Sequence, residues 1–185
     1  MTLTAKADSI ETRVAGEVAG ALKRNGVPYL FGIPGGGSSI DLIEACRMVE
    51  IPFVLVQHET TAALMAVVCG ELTGSCGACI SIMGTGAINL AGGAAYAFLE
   101  RHPLLCITET YGRSNAPLMS MQKIDHGATF APYCKGVITL GTDDPGRQID
   151  QAIRLATTER PGPIHVDYPQ SMDGSPFGRT VDGAS

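Results

Sequence analysis

Six short apolar runs recur along this chain, separated by stretches of helical periodicity, and that alternation sharply limits the folds open to it. The runs are "PYLFGI" (28–33), "PFVLVQ" (52–57), "ACISIM" (78–83), "LLCITE" (104–109), "GVITL" (136–140) and "PIHVDY" (163–168). They are apolar nearly throughout rather than strictly alternating, as strands are when both faces of a sheet are covered. Between them, Ile10–Asn25 carries Ile10, Val14, Val18 and Leu22 at i, i+4 spacing and is closed by Gly26. Ser38–Glu50 has Ser38 and Ser39 as candidate N-caps and puts Leu42, Ile43 and Cys46 on one face. Thr60–Thr73, Ala87–Leu99 and Pro145–Thr158 complete the helical set. Strands alternating with helices predict an α/β fold: a six-stranded, mostly parallel sheet with helices on both faces. A length of 185 residues suits one domain. Its expected extent is 1–170, with the Pro-, Gly- and Ser-rich stretch 171–185 a linker or flexible tail. The interval 110–133 shows no strand pattern and is expected to be a functional loop with a short helix.

Composition enters by exclusion. The formal net charge is −5 and no basic stripe occurs, so nucleic acid is not the expected partner. The first residues lack the apolar core of a signal peptide, and no run of 18 apolar residues exists. The expectation is a cytoplasmic protein with no membrane partner. Six cysteines, Cys46, Cys69, Cys76, Cys79, Cys106 and Cys134, are then expected to be reduced, and mostly small core hydrophobes. Cys76 and Cys79 form a C-x-x-C, but no second pair accompanies it and it leads into a strand rather than opening a helix. No metal ligands are assigned.

In a parallel α/β sheet, ligands bind beyond the carboxyl ends of the strands. Four segments gather there: "GIPGGGSS" (32–39), "QHE" (57–59), "MGTGAIN" (83–89) and "TETYGRS" (108–114). Two are glycine-rich strand-to-helix turns, which invites a dinucleotide reading. However, Ile40 and Asn89 stand where the third glycine of that fingerprint belongs, and Ile there obstructs close helix packing. A dinucleotide- or nucleotide-binding module stays an alternative, as does a non-catalytic assembly domain. Three successive glycines, Gly35 to Gly37, point to backbone approaching a flat ligand or another subunit. Glu59 stands where a carboxylate is favoured by the helix dipole. The residues one turn on, Ala62, Ala63 and Ala66 with Gly70 beyond, supply no cation and leave space. A carboxyl group facing a gap suits proton exchange with a heterocyclic nitrogen.

Taken in order, "GIPGG" (32–36), "HE" (58–59), the helix end with Ala66, Gly70, Thr73, Gly74 and Gly77, "GTGAIN" (84–89) and "RPGPIHVDYP" (160–169) resemble the pyrimidine-binding domain of thiamine-diphosphate enzymes. The likeness is to the group of acetolactate synthase, benzoylformate decarboxylase and sulfopyruvate or phosphonopyruvate decarboxylase, and it covers about 10–170. The resemblance implies that Glu59 is catalytic, bonding N1′ of the aminopyrimidine and relaying a proton in reactions of 2-oxo acids. It implies cofactor-binding roles for Gly35, Gly36, His58, Glu59, Gly84 and Asn89, and places Gly37 and Gln122 along the substrate. Thr85 replaces the family's usual Pro, and Met121 and Lys123 replace the usual neighbours of Gln122. The resemblance also implies a second domain that holds the diphosphate and Mg²⁺ through a Gly-Asp-Gly motif with a downstream Asn, and this sequence contains no such motif. The expected partners are therefore a diphosphate-binding domain or subunit of the same enzyme, and a second copy in a dimer or tetramer. The helix 60–69, lined with small residues, is the expected packing face for that copy. Whether the chain is an α subunit or an excised first domain stays open, with excision favoured.

Overall fold

The structure, a computed structural model, describes residues 10–112, 116–170 and 181–182. The expected tail at 171–180 and 183–185, the first nine residues of the expected domain, and Arg113 and Ser114 of the fourth loop lie outside the described residues. Six strands follow the apolar runs: β1 (Leu30–Ile33), β2 (Phe53–Leu55), β3 (Gly77–Ser81), β4 (Leu104–Tyr111), β5 (Gly136–Thr139) and β6 (Pro163–Gln170). Six α-helices lie between and before them: α1 (Ile10–Arg24), α2 (Ser38–Met48), α3 (Glu59–Thr73), α4 (Thr85–Glu100), the short α5 (His126–Phe130) and α6 (Pro145–Thr157). All six strands are parallel, in the order β2-β1-β3-β4-β6-β5, and a two-residue strand β7 (Val181–Asp182) adds antiparallel to the β5 edge. This is the expected α/β architecture.

The sheet divides two cores. On one face α1, α2 and α6 bring Val18, Leu22, Leu42, Ile149 and Ile153 against Ile80, Ile107, Ile164 and Val166. On the other, α3 and α4 bring Ala63, Ala66, Leu90 and Ala94 against Cys79, Cys106 and Phe31. The second layer is built from small residues because the backbones run close. A Cβ on Gly77 of β3 would stand 2.3 Å from the Ala66 carbonyl oxygen, and one on Gly93 of α4 would stand 2.3 Å from Ala63 Cβ. Neither contact is physically possible, so glycine at both positions sets the helix–sheet and helix–helix spacing.

That packing corrects one expectation. Ala62, Ala63 and Ala66 of α3 are fully buried inside the chain and do not form an outer docking face. The exposed side of α3 is a different stripe, Leu64, Met65, Val68 and Leu72, and Leu72 is 82% exposed. Ser38 and Ser39 are not N-caps either. Gly37 holds that position at φ 81, and both serines lie inside the first turn of α2. The cysteines are free, and five of the six are buried. Burial pushes the Cys46 and Cys76 thiols up to about 12, so both sit in the core as neutral thiols.

Candidate functional site

The strand order reverses between β1 and β3. The chain leaves β1 for α2 on one face and leaves β3 for α4 on the other. A crevice opens at such a point beyond the carboxyl ends of the two strands, and it is where open α/β sheets bind ligands. The register puts Ile33 opposite Ser81, and Ser81 opposite Thr108. Pro34, Ile82 and Glu109 therefore follow at the mouth of the crevice, with the Gly35–Gly37 turn on one side and the Gly84 turn on the other.

Glu59 is the first residue of α3 and only 7% exposed. Its helix starts there because His58, extended at φ −153, caps it by accepting the Thr60 N–H at Nδ1 (3.2 Å). Asn89 Nδ2 donates to Glu59 Oε2 at 3.0 Å, while the Asn89 carbonyl accepts from Thr60 Oγ1 at 2.5 Å. Two bonds thus tie α4 to the start of α3 and hold one carboxylate oxygen. The other, Oε1, faces Gly86, where a Cβ would come within 3.1 Å of it and within 2.6 Å of Ile82 Cγ2. Glycine at 86 lets the start of α4 lie close against Ile82 and the carboxylate.

The Gly84 turn is fixed from beneath. Gly84 adopts φ +68, and a Cβ there would meet Gln122 Cβ at 2.6 Å and the Gln122 carbonyl oxygen at 2.7 Å. Its N–H donates to His126 Nε2 at 3.1 Å. With Nε2 accepting, the His126 proton sits on Nδ1 and is donated to Asp167 Oδ1 at 2.8 Å. Thr108 Oγ1 joins His126, Asp167 and His165 into one buried network. Phe130 stacks on His165 at 4.0 Å. His126, His165 and Asp167 come close enough together to share a metal ion, yet the facing atoms already bond one another through Thr108. Glycine is required at 84 on two independent grounds. Gly84→Ala is expected to destabilise the chain by about 1–3 kcal/mol, read from the urea midpoint.

His165 gives the network a pH signature. Its Nδ1 is buried with no partner, and burial pushes its pKa down to about 4. The unfolded chain takes up this proton near the usual 6.5, the folded chain only near 4. Stability from this group is therefore complete above about 6.5 and is lost as pH falls toward 4. The loss is on the order of 3 kcal/mol. His165→Leu is expected to flatten that part of the curve of urea midpoint against pH.

The residues singled out in the sequence fall into two groups. Gly84, Gln122, Asn89 and Glu59 meet on the α3–α4 side, with His58 capping α3 at the surface. Gly35, Gly36 and Gly37 meet on the α2 side, where Gly35 N–H donates to Ser39 Oγ (2.9 Å) and Gln170 Nε2 donates to the Gly36 carbonyl (2.7 Å). Ile40, which stands where the third glycine of the dinucleotide fingerprint belongs, is 47% exposed. Sequence reasoning missed Glu109, the last residue of its fourth strand run. It is fully buried, and Oε1 accepts the Ser39 N–H at 2.7 Å. A glutamate at the end of a wholly apolar strand was the available signal.

An apolar groove of about 460 Å³ runs along the outside of α3, lined by Phe31, Leu64, Met65, Val68 and Leu72. No described helix is long and apolar enough to cross a membrane.

Comparison with known proteins bears on this geometry. The family described as thiamine pyrophosphate enzyme, N-terminal TPP binding domain, matches residues 12–129. An acetolactate synthase from Arthrospira platensis is 34% identical over 166 residues, 86% of this chain and 29% of the relative. Acetolactate synthase isozyme 2 large subunit from Escherichia coli is 32% identical over 174 residues, 89% of this chain and 31% of the relative. A probable acetolactate synthase large subunit from Methanocaldococcus jannaschii is 31% identical over 153 residues, 82% of this chain and 26% of the relative. The chain thus spans about a third or less of the length of these relatives.

Proposed function

The chain belongs to the family of N-terminal TPP-binding domains of thiamine pyrophosphate enzymes, and on that premise we propose that it is the aminopyrimidine-binding half of a thiamine-diphosphate-dependent enzyme acting on a 2-oxo acid. The observation that carries the proposal is the state of Glu59. One carboxylate oxygen is held by Asn89, while the other stands against the bare backbone of Gly86 at the switch point of the sheet. A heterocycle that bonds a carboxylate through a ring nitrogen suits a carboxylate with one oxygen held and the other beside bare backbone.

When bound, thiamine diphosphate supplies the nucleophile and electron sink that cleavage of a 2-oxo acid requires. The residues of this chain have the following roles. Glu59 Oε1 would hold the ring nitrogen of the aminopyrimidine and carry the proton exchanged there. Asn89 fixes the carboxylate plane, and His58 fixes the helix start. Gly84, seated on His126 and Gln122, keeps the mouth of the site open. Gly35, Gly36 and Gly37 bring bare backbone to the substrate side, and Gln122 borders it.

The diphosphate and Mg²⁺ are assigned to a second domain or subunit of the same enzyme, a reading supported by relatives about three times the length of this chain. The chain alone is then inactive. The exposed stripe Leu64, Met65, Val68 and Leu72 is assigned to contact with a second protomer in a dimer or tetramer. The test is turnover of the complete enzyme with Glu59→Gln, which should abolish it while the fold survives. Undiminished turnover in that variant would sink the proposal.

A further inference from the structure

The start of α4 is held at two places. At one, Asn89 donates to Glu59 Oε2 and its carbonyl accepts from Thr60 Oγ1. At the other, Gly84 donates its N–H to His126 Nε2 at 3.1 Å. Gly84 is the N-cap, and its carbonyl accepts the Ile88 N–H at 3.1 Å, so the bond to His126 sits at the head of the first turn. No side chain caps this helix. Between the two anchors stands Gly86, against Ile82 and Glu59 Oε1. The Glu59 carboxylate is therefore aimed by a helix start whose far end is held by His126.

His126 is itself fixed on its other side. It is 3% exposed and opens the short α5, between β4 and β5. Its Nδ1 lies 2.8 Å from Asp167 Oδ1 and 3.2 Å from Thr108 Oγ1. Thr108 donates to the same Asp167 oxygen at 3.2 Å, and His165 Nε2 backs Thr108 Oγ1 at 2.8 Å. Side chains from β4 and β6 thus meet beneath the turn that follows β3.

A neutral imidazole has one N–H and one acceptor nitrogen, and its partners decide which is which. A carboxylate accepts hydrogen bonds and donates none, so Asp167 draws the proton to Nδ1. Nε2 is then left bare toward the Gly84 N–H. With the proton on Nε2 instead, two N–H groups would face each other in a buried site, and the Gly84 donor would lose its partner.

We propose that His126, with Asp167 behind it, is a positioning residue of this site: its Nδ1–H tautomer leaves Nε2 as the acceptor that pins Gly84, and through the start of α4 and Asn89 it holds the Glu59 carboxylate in register. Neither residue touches cofactor or substrate. The proposal rests on the cofactor reading above for what Glu59 faces, whereas the tautomer and the anchor do not depend on it.

The test uses the complete enzyme with pyruvate as the probe 2-oxo acid, and three substitutions of His126. An Asn amide stands level with Nδ1 and reaches Asp167, whereas a Gln amide stands level with Nε2 and reaches Gly84. His126→Leu and His126→Asn should each lower kcat roughly 10- to 100-fold, the loss of the partner of one buried donor. His126→Gln should recover kcat to within roughly fivefold of wild type. In the Glu59→Gln background, His126→Leu should cost less than roughly threefold more, because the two residues act as one unit. Nitrogen-15 NMR of the 185-residue chain, which has four histidines, should show His126 protonated at Nδ1 and bare at Nε2. Recovery by Asn rather than Gln, a full further loss on top of Glu59→Gln, or a proton on Nε2 overturns the proposal. So does a loss of stability with kcat intact, which marks a purely structural role. If His126→Leu does not fold, the contrast between Asn and Gln decides. A wild-type enzyme that binds no thiamine diphosphate refutes the cofactor reading, whereas cofactor binding with kcat indifferent to all three substitutions refutes only the role of His126.

Discussion

Glu59→Gln is expected to lower kcat of the complete enzyme by roughly 10²- to 10⁴-fold, the range lost when a positioned acid–base group is removed. The geometry makes this substitution a clean one. The glutamine carbonyl oxygen can still accept from Asn89 Nδ2, which now bonds Glu59 Oε2 at 3.0 Å. Its amide nitrogen then takes the place of Oε1 beside Gly86, with the same volume and no clash. What disappears is the ability to exchange a proton with a ring nitrogen. Affinity for thiamine diphosphate, measured by calorimetry, should change less than tenfold, and thermal unfolding should move by a degree or two. A kcat effect with little binding or stability effect is the signature of proton relay. Loss of stability in step with kcat would instead mean that Glu59 serves only to join α3 to α4.

The second large effect is expected on the outside of α3. Val68→Glu together with Leu72→Glu should raise the dissociation constant of the assembly by at least roughly 100-fold. A charge buried unpaired in a dry interface costs several kcal/mol. Both side chains are exposed in the chain itself, at 51% and 82%. Its own stability should therefore stay within about 0.5 kcal/mol. Analytical ultracentrifugation across a concentration series reads the first quantity, and urea denaturation reads the second. A wild-type mass at all concentrations would mean that this stripe is not the contact. The control is Ala63→Leu, which faces inward onto Gly93 and should unsettle the fold without touching the exposed stripe.

Much of this molecule was legible before its coordinates. Each of the six apolar runs became a strand, because a sheet covered on both faces demands apolar side chains on both and that demand is written locally. Glu59 was legible for the same reason. A carboxylate between a buried strand and a buried helix breaks the local pattern, and the break singles the residue out. The resemblance gave Asn89 a place at the cofactor but no partner within the chain. It reaches Glu59, a contact between residues 30 apart that no local pattern encodes.

Other errors came from faces and layers. The alanines of α3 were read as an outer surface because small residues allow close approach, but composition does not say to what. They approach α4 and the sheet of the same chain, and the exposed stripe is the larger Leu64, Met65, Val68 and Leu72. Glu109 was counted as the end of a strand, and its side chain was left unplaced.

The sequence by itself determined the fold class, the family, and one acid at a strand–helix junction, since each depends on residue type and spacing along the chain. Only the tertiary structure decided which helix face is free. It alone brought His126 beneath Gly84, and it alone set Glu59 and Glu109 on either side of Ile82. Those facts depend on strand order and register. A parallel sheet places the ends of β1, β3 and β4 side by side, although Gly35, Ile82 and Glu109 lie far apart in the chain.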